Sequence, residues 1–262
     1  MASPKRIGIR VNPGSSSAIL PPVNSDMPET QSKTPAVCLP HAATWFGLKP
    51  VEIGLMFGVS LAVLLASYRS WWPIGVAEAW GFVTGGICVW LVVREHMANW
   101  PIGIANNVVF FVLFLRGRLY ADMALQVVYL GLGAYGWWNW LFGGRHRTVL
   151  QISRTTTREW AALAAAIPLG TWAFREALTA LNGAAPFWDS LTTILSLAAQ
   201  YLLCRKRFEN WFLWIAADLI YVPLYLSRQL PLTGVLYGVF LAMCLAGLRE
   251  WRRTMQKEAN AA

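Results

Sequence analysis

The residue with the clearest chemical potential is Asp218, a carboxylate inside a long apolar run of the chain. Trp214 and Tyr221 flank it at spacings of four and three residues, which place all three side chains on one helical face. Such a face suits a solute with a flat, cationic ring and several hydroxyl groups, since aromatic rings attract the cation and a carboxylate accepts hydrogen bonds from hydroxyls. A polar group in an apolar span is costly unless it is partnered, so Asp218 indicates a binding site.

Other polar side chains also interrupt the apolar runs, and their positions are Asn106, Asn107, Gln126, Asp189, Gln200 and Asn210. For Asn107 and Gln200 a structural role explains the residue as well as a binding role does, because amides join membrane helices through hydrogen bonds worth about 1 kcal/mol each. Asp189 comes near a helix start, where the helix dipole favours an acid. Asp218 has no such local role at its depth.

The cysteines and histidines do not form a recognisable site. They are scattered through the sequence as Cys38, Cys88, Cys204, Cys244, His41, His96 and His146, which is neither a disulfide framework nor a zinc spacing. The sequence contains no Gly-rich phosphate loop, and its spans supply no pairing of a nucleophile with a base. We therefore expect no enzyme, no metal site and no cofactor.

The composition is typical of a membrane protein. Of the 262 residues 56% are hydrophobic and only 13% are charged, against about 25% charged residues in soluble domains. The net charge of +9 would also fit a nucleic-acid partner. However, the Lys and Arg residues lie between apolar runs, as they do in cytoplasmic membrane loops. We expect a lipid bilayer as the environment and no nucleic acid as a partner.

Eight apolar runs of helical length follow a Pro-rich segment, residues 1–50, that we expect to be disordered. The runs cover residues 51–68, 78–93, 100–115, 120–142, 160–174, 187–204, 211–226 and 230–248. They lack the two-residue alternation of a membrane barrel, which predicts an all-α integral membrane protein. The first run either spans the bilayer or lies along its interface. Tryptophans near the run ends resemble interfacial anchors, as at Trp71, Trp72, Trp100, Trp140, Trp160, Trp188, Trp211 and Trp251.

An internal repeat organises these runs: residues 78–140 align with residues 189–251 without a gap. Identical pairs in this alignment are Arg94/Arg205, Asn99/Asn210, Trp100/Trp211, Gly136/Gly247 and Trp140/Trp251. We infer two three-helix bundles, residues 78–142 and 187–251, joined by a linker transmembrane helix at 159–176. This 3+1+3 arrangement is a parallel repeat, which places a solute site between the bundles near mid-membrane.

The distribution of basic residues predicts the orientation. The segments that follow the second, fourth, sixth and eighth runs carry more Lys and Arg than those on the other side. The positive-inside rule therefore places them, and the C-terminal tail at 252–262, in the cytoplasm.

Several motifs closely resemble the nicotinamide riboside transporter (PnuC) family. They are NWPIGIAN at 99–106, YGWWNW at 135–140, PFWDS at 186–190 and ENW at 209–211. The resemblance implies bundles related to the SWEET fold, homotrimers, and facilitated uptake of nicotinamide riboside across a bacterial inner membrane. It also implies trapping of the solute by a cytoplasmic kinase. Thiamine or riboflavin, which relatives carry, is the alternative solute.

The same resemblance implies a set of substrate-binding residues. The matched positions are Asn106, Gln126, Trp188, Trp214 and Asp218, with Asn210 and Trp211 adjoining; the residue pattern itself adds Asn107 and Tyr221. No Arg lies deep within a span to hold a phosphate group. We therefore expect a phosphorylated nucleotide to be rejected.

Overall fold

The computed structural model describes residues 50–69, 71, 75–118, 120–181, 185–229 and 231–261. The expected disordered segment therefore lies outside the described residues, except for its last residue. The described chain forms the helices α1 (Pro50–Tyr68), α2 (Val76–Val93), α3 (Asn99–Arg116), α4 (Tyr120–Phe142), α5 (Thr157–Ala180), α6 (Pro186–Cys204), α7 (Asn210–Ser227) and α8 (Pro231–Ala261). The all-helical prediction is confirmed, and α8 continues as helix through most of the predicted tail.

By length and composition alone, two of the described helical segments qualify as membrane spans, namely Pro50–Tyr68 and Thr233–Asn260. In the other described helices the apolar stretch is shorter or contains more polar residues. Many of their apolar side chains are nevertheless exposed at the outer surface, as Val127 in α4 and Leu219 in α7 illustrate. A bilayer gives such side chains the apolar surroundings that water does not.

Six helices form a closed ring. Helices α2, α3 and α4 pack in sequence as the first bundle, and α6, α7 and α8 pack in the same way as the second. The ring closes where α2 contacts α8 and where α4 contacts α6. Each of these two helix contacts joins the first helix of one bundle to the third helix of the other, as a two-fold arrangement of repeats requires.

Helices α1 and α5 pack outside the ring in corresponding places, α1 on α2 and α5 on α6. Glu52 is the third residue of α1 and lies 3.6 Å from Arg94. Glu159 is the third residue of α5 and lies 3.1 Å from Arg205. Because Arg94 and Arg205 are equivalent in the repeat, α5 is the counterpart of α1 as well as the connection between the bundles.

The turns of the two bundles share an uncommon backbone conformation. Glu95 and Lys206, which are equivalent, have φ values of 53° and 52°. Arg118 and Gln229, also equivalent, have φ values of 59° and 60°. Non-glycine residues rarely adopt a positive φ, so its recurrence at matched positions supports the duplication inferred from the sequence.

The segment between α4 and α5 is fixed to the turn between α6 and α7. The Ser153 amide donates to the Lys206 carbonyl at 3.1 Å, and the Phe208 amide donates to the Ser153 carbonyl at 2.9 Å. The Lys206 ammonium also donates to the Leu150 carbonyl at 3.0 Å. These bonds fix the segment that follows α4 to the turn that follows α6.

Candidate solute-binding cavity

A cavity of about 390 Å³ lies inside the ring, and all six ring helices contribute to its lining. This volume falls within the range of about 300–1,000 Å³ that is common for small-molecule sites. The cavity lies between the two repeats, where the sequence predicted a solute site.

Asp218 is the one charged side chain among the described residues that line the cavity. It is only 5% exposed, and its Oδ2 atom lies 3.5 Å from the Cys244 thiol. In the described part of the chain no Lys, Arg or His pairs with this carboxylate. A buried carboxylate without a protein cation is stabilised by a cationic solute beside it.

Amide side chains supply neutral hydrogen-bonding groups to the same cavity. Asn106, Asn107 and Gln200 all line it and are half-buried. The Asn106 Oδ1 atom accepts a hydrogen bond of 2.8 Å from the Thr84 hydroxyl in α2, which fixes the orientation of the amide. These amides can donate to and accept from the hydroxyl groups of a solute.

Aromatic rings form one wall of the cavity. Tyr221 and Tyr237 line it with their ring centroids 4.5 Å apart, and Tyr225 extends the stack at 5.1 Å from Tyr237. Trp214 also lines the cavity, one helical turn from Asp218. Flat rings beside a carboxylate are suited to a planar cation, which both groups attract.

Four tryptophans close one end of the ring, and we call them the tryptophan layer: Trp100, Trp140, Trp211 and Trp251. Their side chains are at most 3% exposed. Edge-to-face contacts join Trp100 to Trp140 at 5.4 Å and Trp211 to Trp251 at 5.5 Å, and Trp140 lies 6.2 Å from Trp251. The interpretation of these four residues as interfacial anchors is therefore wrong, because they pack on one another and not on lipid.

Two hydrogen bonds connect the bundles through this layer. The Trp140 indole N–H donates to the Leu203 carbonyl at 2.9 Å, and the Trp251 indole N–H donates to the Val92 carbonyl at 3.0 Å. Val92 and Leu203 are equivalent in the repeat, as are the two tryptophans. Each bundle therefore donates one indole hydrogen bond to the first helix of the other.

Glycines create the space for the other two indole rings. A methyl group on Gly136 would overlap the Trp100 ring, and one on Gly247 would overlap the Trp211 ring. Gly136 and Gly247 are also equivalent in the repeat. The tryptophan layer thus depends on the same close approach of a ring to a helix in both bundles.

Six of the predicted substrate-binding residues line the cavity: Asn106, Asn107, Trp211, Trp214, Asp218 and Tyr221. Three others lie elsewhere. Gln126, on α4, is half-buried and is not among the lining residues, and Trp188 is 47% exposed near the start of α6. Asn210 is fully buried, and its amide donates to the Arg207 carbonyl at 2.6 Å.

Sequence reasoning did not select several lining residues as binding residues, among them Tyr129, Ser196, Tyr237 and Cys244. Tyr237 is the repeat equivalent of Gln126. Transferring that predicted position to the second bundle would have found it. The others resemble ordinary residues of an apolar helix, and their sequence neighbourhood does not distinguish them.

Comparisons with known proteins agree with this architecture. The family model described as nicotinamide mononucleotide transporter matches residues 75–253. The chain is 26% identical over 216 residues to the nicotinamide riboside transporter PnuC of Escherichia coli K12, covering 71% of this chain and 88% of that protein. It is 29% identical over 175 residues to the riboflavin/roseoflavin transporter RibM of Streptomyces davaonensis, covering 65% and 82%.

A solved structure shows the same fold. The crystal structure of the vitamin B3 transporter PnuC superposes with a TM-score of 0.59 at 24% identity, covering 82% of this chain and 93% of that one. The family model spans both bundles, the linking helix and every described residue that lines the cavity. The chain therefore belongs to the nicotinamide mononucleotide transporter family of membrane transporters.

Proposed function

We propose that this protein mediates facilitated uptake of nicotinamide riboside across a bacterial inner membrane. The observation that carries the proposal is the cavity between the repeats, where the Asp218 carboxylate lies among aromatic rings and amides and has no cationic partner among the described residues. Nicotinamide riboside has a planar pyridinium cation, a ribose and no phosphate. The family membership and the similarity to nicotinamide riboside transporters support this solute.

The charges of the cavity favour the riboside over the mononucleotide that the family description names. The described lining carries one carboxylate and no Lys or Arg, so a phosphate group would be desolvated without a counter-charge. The pyridinium ring, in contrast, gains from the carboxylate and from the tyrosine faces.

Transport is proposed to proceed by alternating access, with the tryptophan layer as the closed cytoplasmic end of the ring. Solute release then requires α4 to separate from α6 and α2 from α8, which breaks both indole hydrogen bonds. No ion is proposed to be coupled, and net uptake comes from phosphorylation of the solute by a cytoplasmic kinase. We also propose a homotrimer.

The proposed topology places both termini in the cytoplasm. Helix α5 must cross the bilayer to connect two bundles of the same orientation, and α1 occupies the equivalent place beside α2. With α1 spanning, the chain consists of two four-helix units, a SWEET-like 3+1+3 arrangement preceded by one further helix.

Uptake of labelled nicotinamide riboside into vesicles that contain the purified protein tests the proposed function. We expect saturable uptake that unlabelled riboside blocks and that persists after proton and sodium gradients are collapsed. Equal uptake of nicotinamide mononucleotide would contradict the proposed selectivity. Loss of riboside exchange without the gradients would contradict facilitated diffusion.

Riboflavin is a second candidate because the chain is 29% identical to RibM, named as a riboflavin/roseoflavin transporter. The charge of Asp218 separates the two solutes. Riboflavin is uncharged, so Asp218→Asn should weaken its binding far less than the binding of the pyridinium cation. Thiamine is cationic, and a competition panel with riboside, thiamine and riboflavin distinguishes it.

A further inference from the structure

The thiol of Cys244 is the one side chain that hydrogen-bonds the Asp218 carboxylate within the described part of the chain. Cys244 lies on α8 and Asp218 on α7, so the contact joins two helices of the second bundle. Both residues line the cavity, and both are at most 5% exposed. A thiol beside a carboxylate acts as the donor, because an ionised carboxylate can only accept.

The first bundle has no equivalent contact, since its corresponding positions are Asn107 and Gly133. Both also line the cavity, but glycine has no side-chain donor. The thiol therefore occurs on the side of the cavity that carries the negative charge. A neutral amide has its own donor and acceptor and does not need a partner that can only donate.

We propose that Cys244 is a positioning residue for solute binding, whose thiol holds Oδ2 of Asp218 and so leaves Oδ1 available to the solute. This inference rests on the proposed function, in which a cationic solute binds beside Asp218. Without the thiol, the carboxylate loses its one described side-chain partner and adopts several rotamers, and each bound solute must then order it.

The competing explanation is that Cys244 only fills space, since buried cysteine commonly behaves as a small apolar residue. Two substitutions separate these roles. Cys244→Val keeps a small apolar side chain and removes the donor, whereas Cys244→Ser keeps a donor and reduces the apolar volume. A packing role predicts that Val is tolerated better than Ser, and a positioning role predicts the opposite order.

The test measures riboside affinity by calorimetry on the purified full chain and its variants, with thermal unfolding to verify that each variant is folded. We expect Cys244→Ala and Cys244→Val to weaken binding about three- to tenfold. Cys244→Ser should stay within about twofold of the parent. In an Asp218→Ala background, Cys244→Ala should have no further effect, because the carboxylate it positions is gone.

Equal affinities of the parent and the Ala, Val and Ser variants would overturn the positioning role. So would a loss on Cys244→Ala that is just as large in the Asp218→Ala background. Both results are distinct from failure of the proposed function, which would appear as absent riboside binding to the parent or as unchanged binding after Asp218→Ala. Absent binding to the parent overturns both proposals together.

Discussion

The Lys206 ammonium lies 2.7 Å from a carboxylate oxygen of Glu95, and the two residues occupy equivalent positions in the two repeats. The ion pair thus connects the same turn of both bundles across the approximate two-fold axis. Lys206 also lies 4.8 Å from the centre of the Trp140 ring, so the pair is continuous with the tryptophan layer. Charge, aromatic packing and indole hydrogen bonds all join the bundles at this end of the ring.

Trp140→Phe and Trp251→Phe should have similar effects, because each removes one indole donor and keeps an aromatic ring. A hydrogen bond contributes about 1 kcal/mol to stability. Its loss should therefore lower the melting temperature by about 2–4 °C in a chain of this size. Thermal unfolding in detergent measures the change. Trp138→Phe is the matched control on α4, since that side chain is 59% exposed, and it should leave the melting temperature unchanged.

If the tryptophan layer closes the cytoplasmic end, both Trp variants should also speed riboside exchange across vesicle membranes. The double variant should be faster than either single variant, since the two bonds must break together. Exchange at the parent rate in all three variants would show that the layer does not limit opening.

Gly136→Ala and Gly247→Ala should each destabilise the protein, because the added methyl group overlaps a buried indole ring. Overpacking of this kind costs about 1–3 kcal/mol. Gly131→Ala on α4 and Gly238→Ala on α8 are the controls, since nothing lies within 4 Å of a methyl group at either position. Chemical denaturation should therefore show a loss of stability for the two variants whose added methyl group meets a ring, whichever helix carries the glycine. Equal stability of all four variants would contradict the observed packing.

Glu209 should contribute to acid sensitivity. Burial alone would raise its pKa, but hydrogen bonds of 2.7 Å from the Thr155 amide and hydroxyl, together with Arg154, hold the pKa of Glu209 below its ordinary value. A lowered pKa in the folded state stabilises the protein above the ordinary pKa, and this contribution disappears as the pH falls through the folded-state value.

Comparing unfolding of the parent and Glu209→Gln between pH 7 and pH 3 measures this contribution. Glu209→Gln should lower stability at pH 7, and the difference should shrink as the pH falls through the lowered folded-state pKa of Glu209, where the parent carboxylate becomes protonated. A difference that stays constant over the whole range would show that the ionised carboxylate is not the stabilising group.

The N-terminus should lie on the same side of the membrane as the C-terminus. The reason is that α1 packs on the first bundle as α5 packs on the second, and each of these helices carries an equivalent ion pair. Reporter fusions that are active on only one side of the inner membrane measure this at both ends. Opposite locations of the two reporters would show that α1 does not cross the bilayer.

The sequence predicted the helices and the repeat well, since both depend on local apolar runs and on the spacing of marked residues such as Trp100 and Trp211. Asp218, which lines the cavity, was also selected from sequence, because a carboxylate deep in an apolar run needs an explanation. The family resemblance given by the motifs is confirmed by the family model.

Sequence reasoning was weaker where a residue's role depends on which face of its helix packs against the rest of the protein. A tryptophan at a run end faces lipid or a neighbouring helix according to packing, so Trp140 and Trp251 were misread as anchors. Gln126 and Trp188 are not among the described residues that line the cavity, and their predicted role in solute binding stays a prediction. The equivalence of α1 and α5 depends on ion pairs between distant residues, which no local pattern reveals.

The most direct test of the central claim is calorimetric binding of nicotinamide riboside to the purified protein and to its Asp218→Asn variant. Asn keeps the size of the side chain and removes its charge. We predict one riboside bound per chain by the parent, affinity at least about tenfold lower for the variant, and no measurable binding of the mononucleotide. Equal riboside affinity of the two proteins would contradict a cavity that selects its solute through the Asp218 carboxylate.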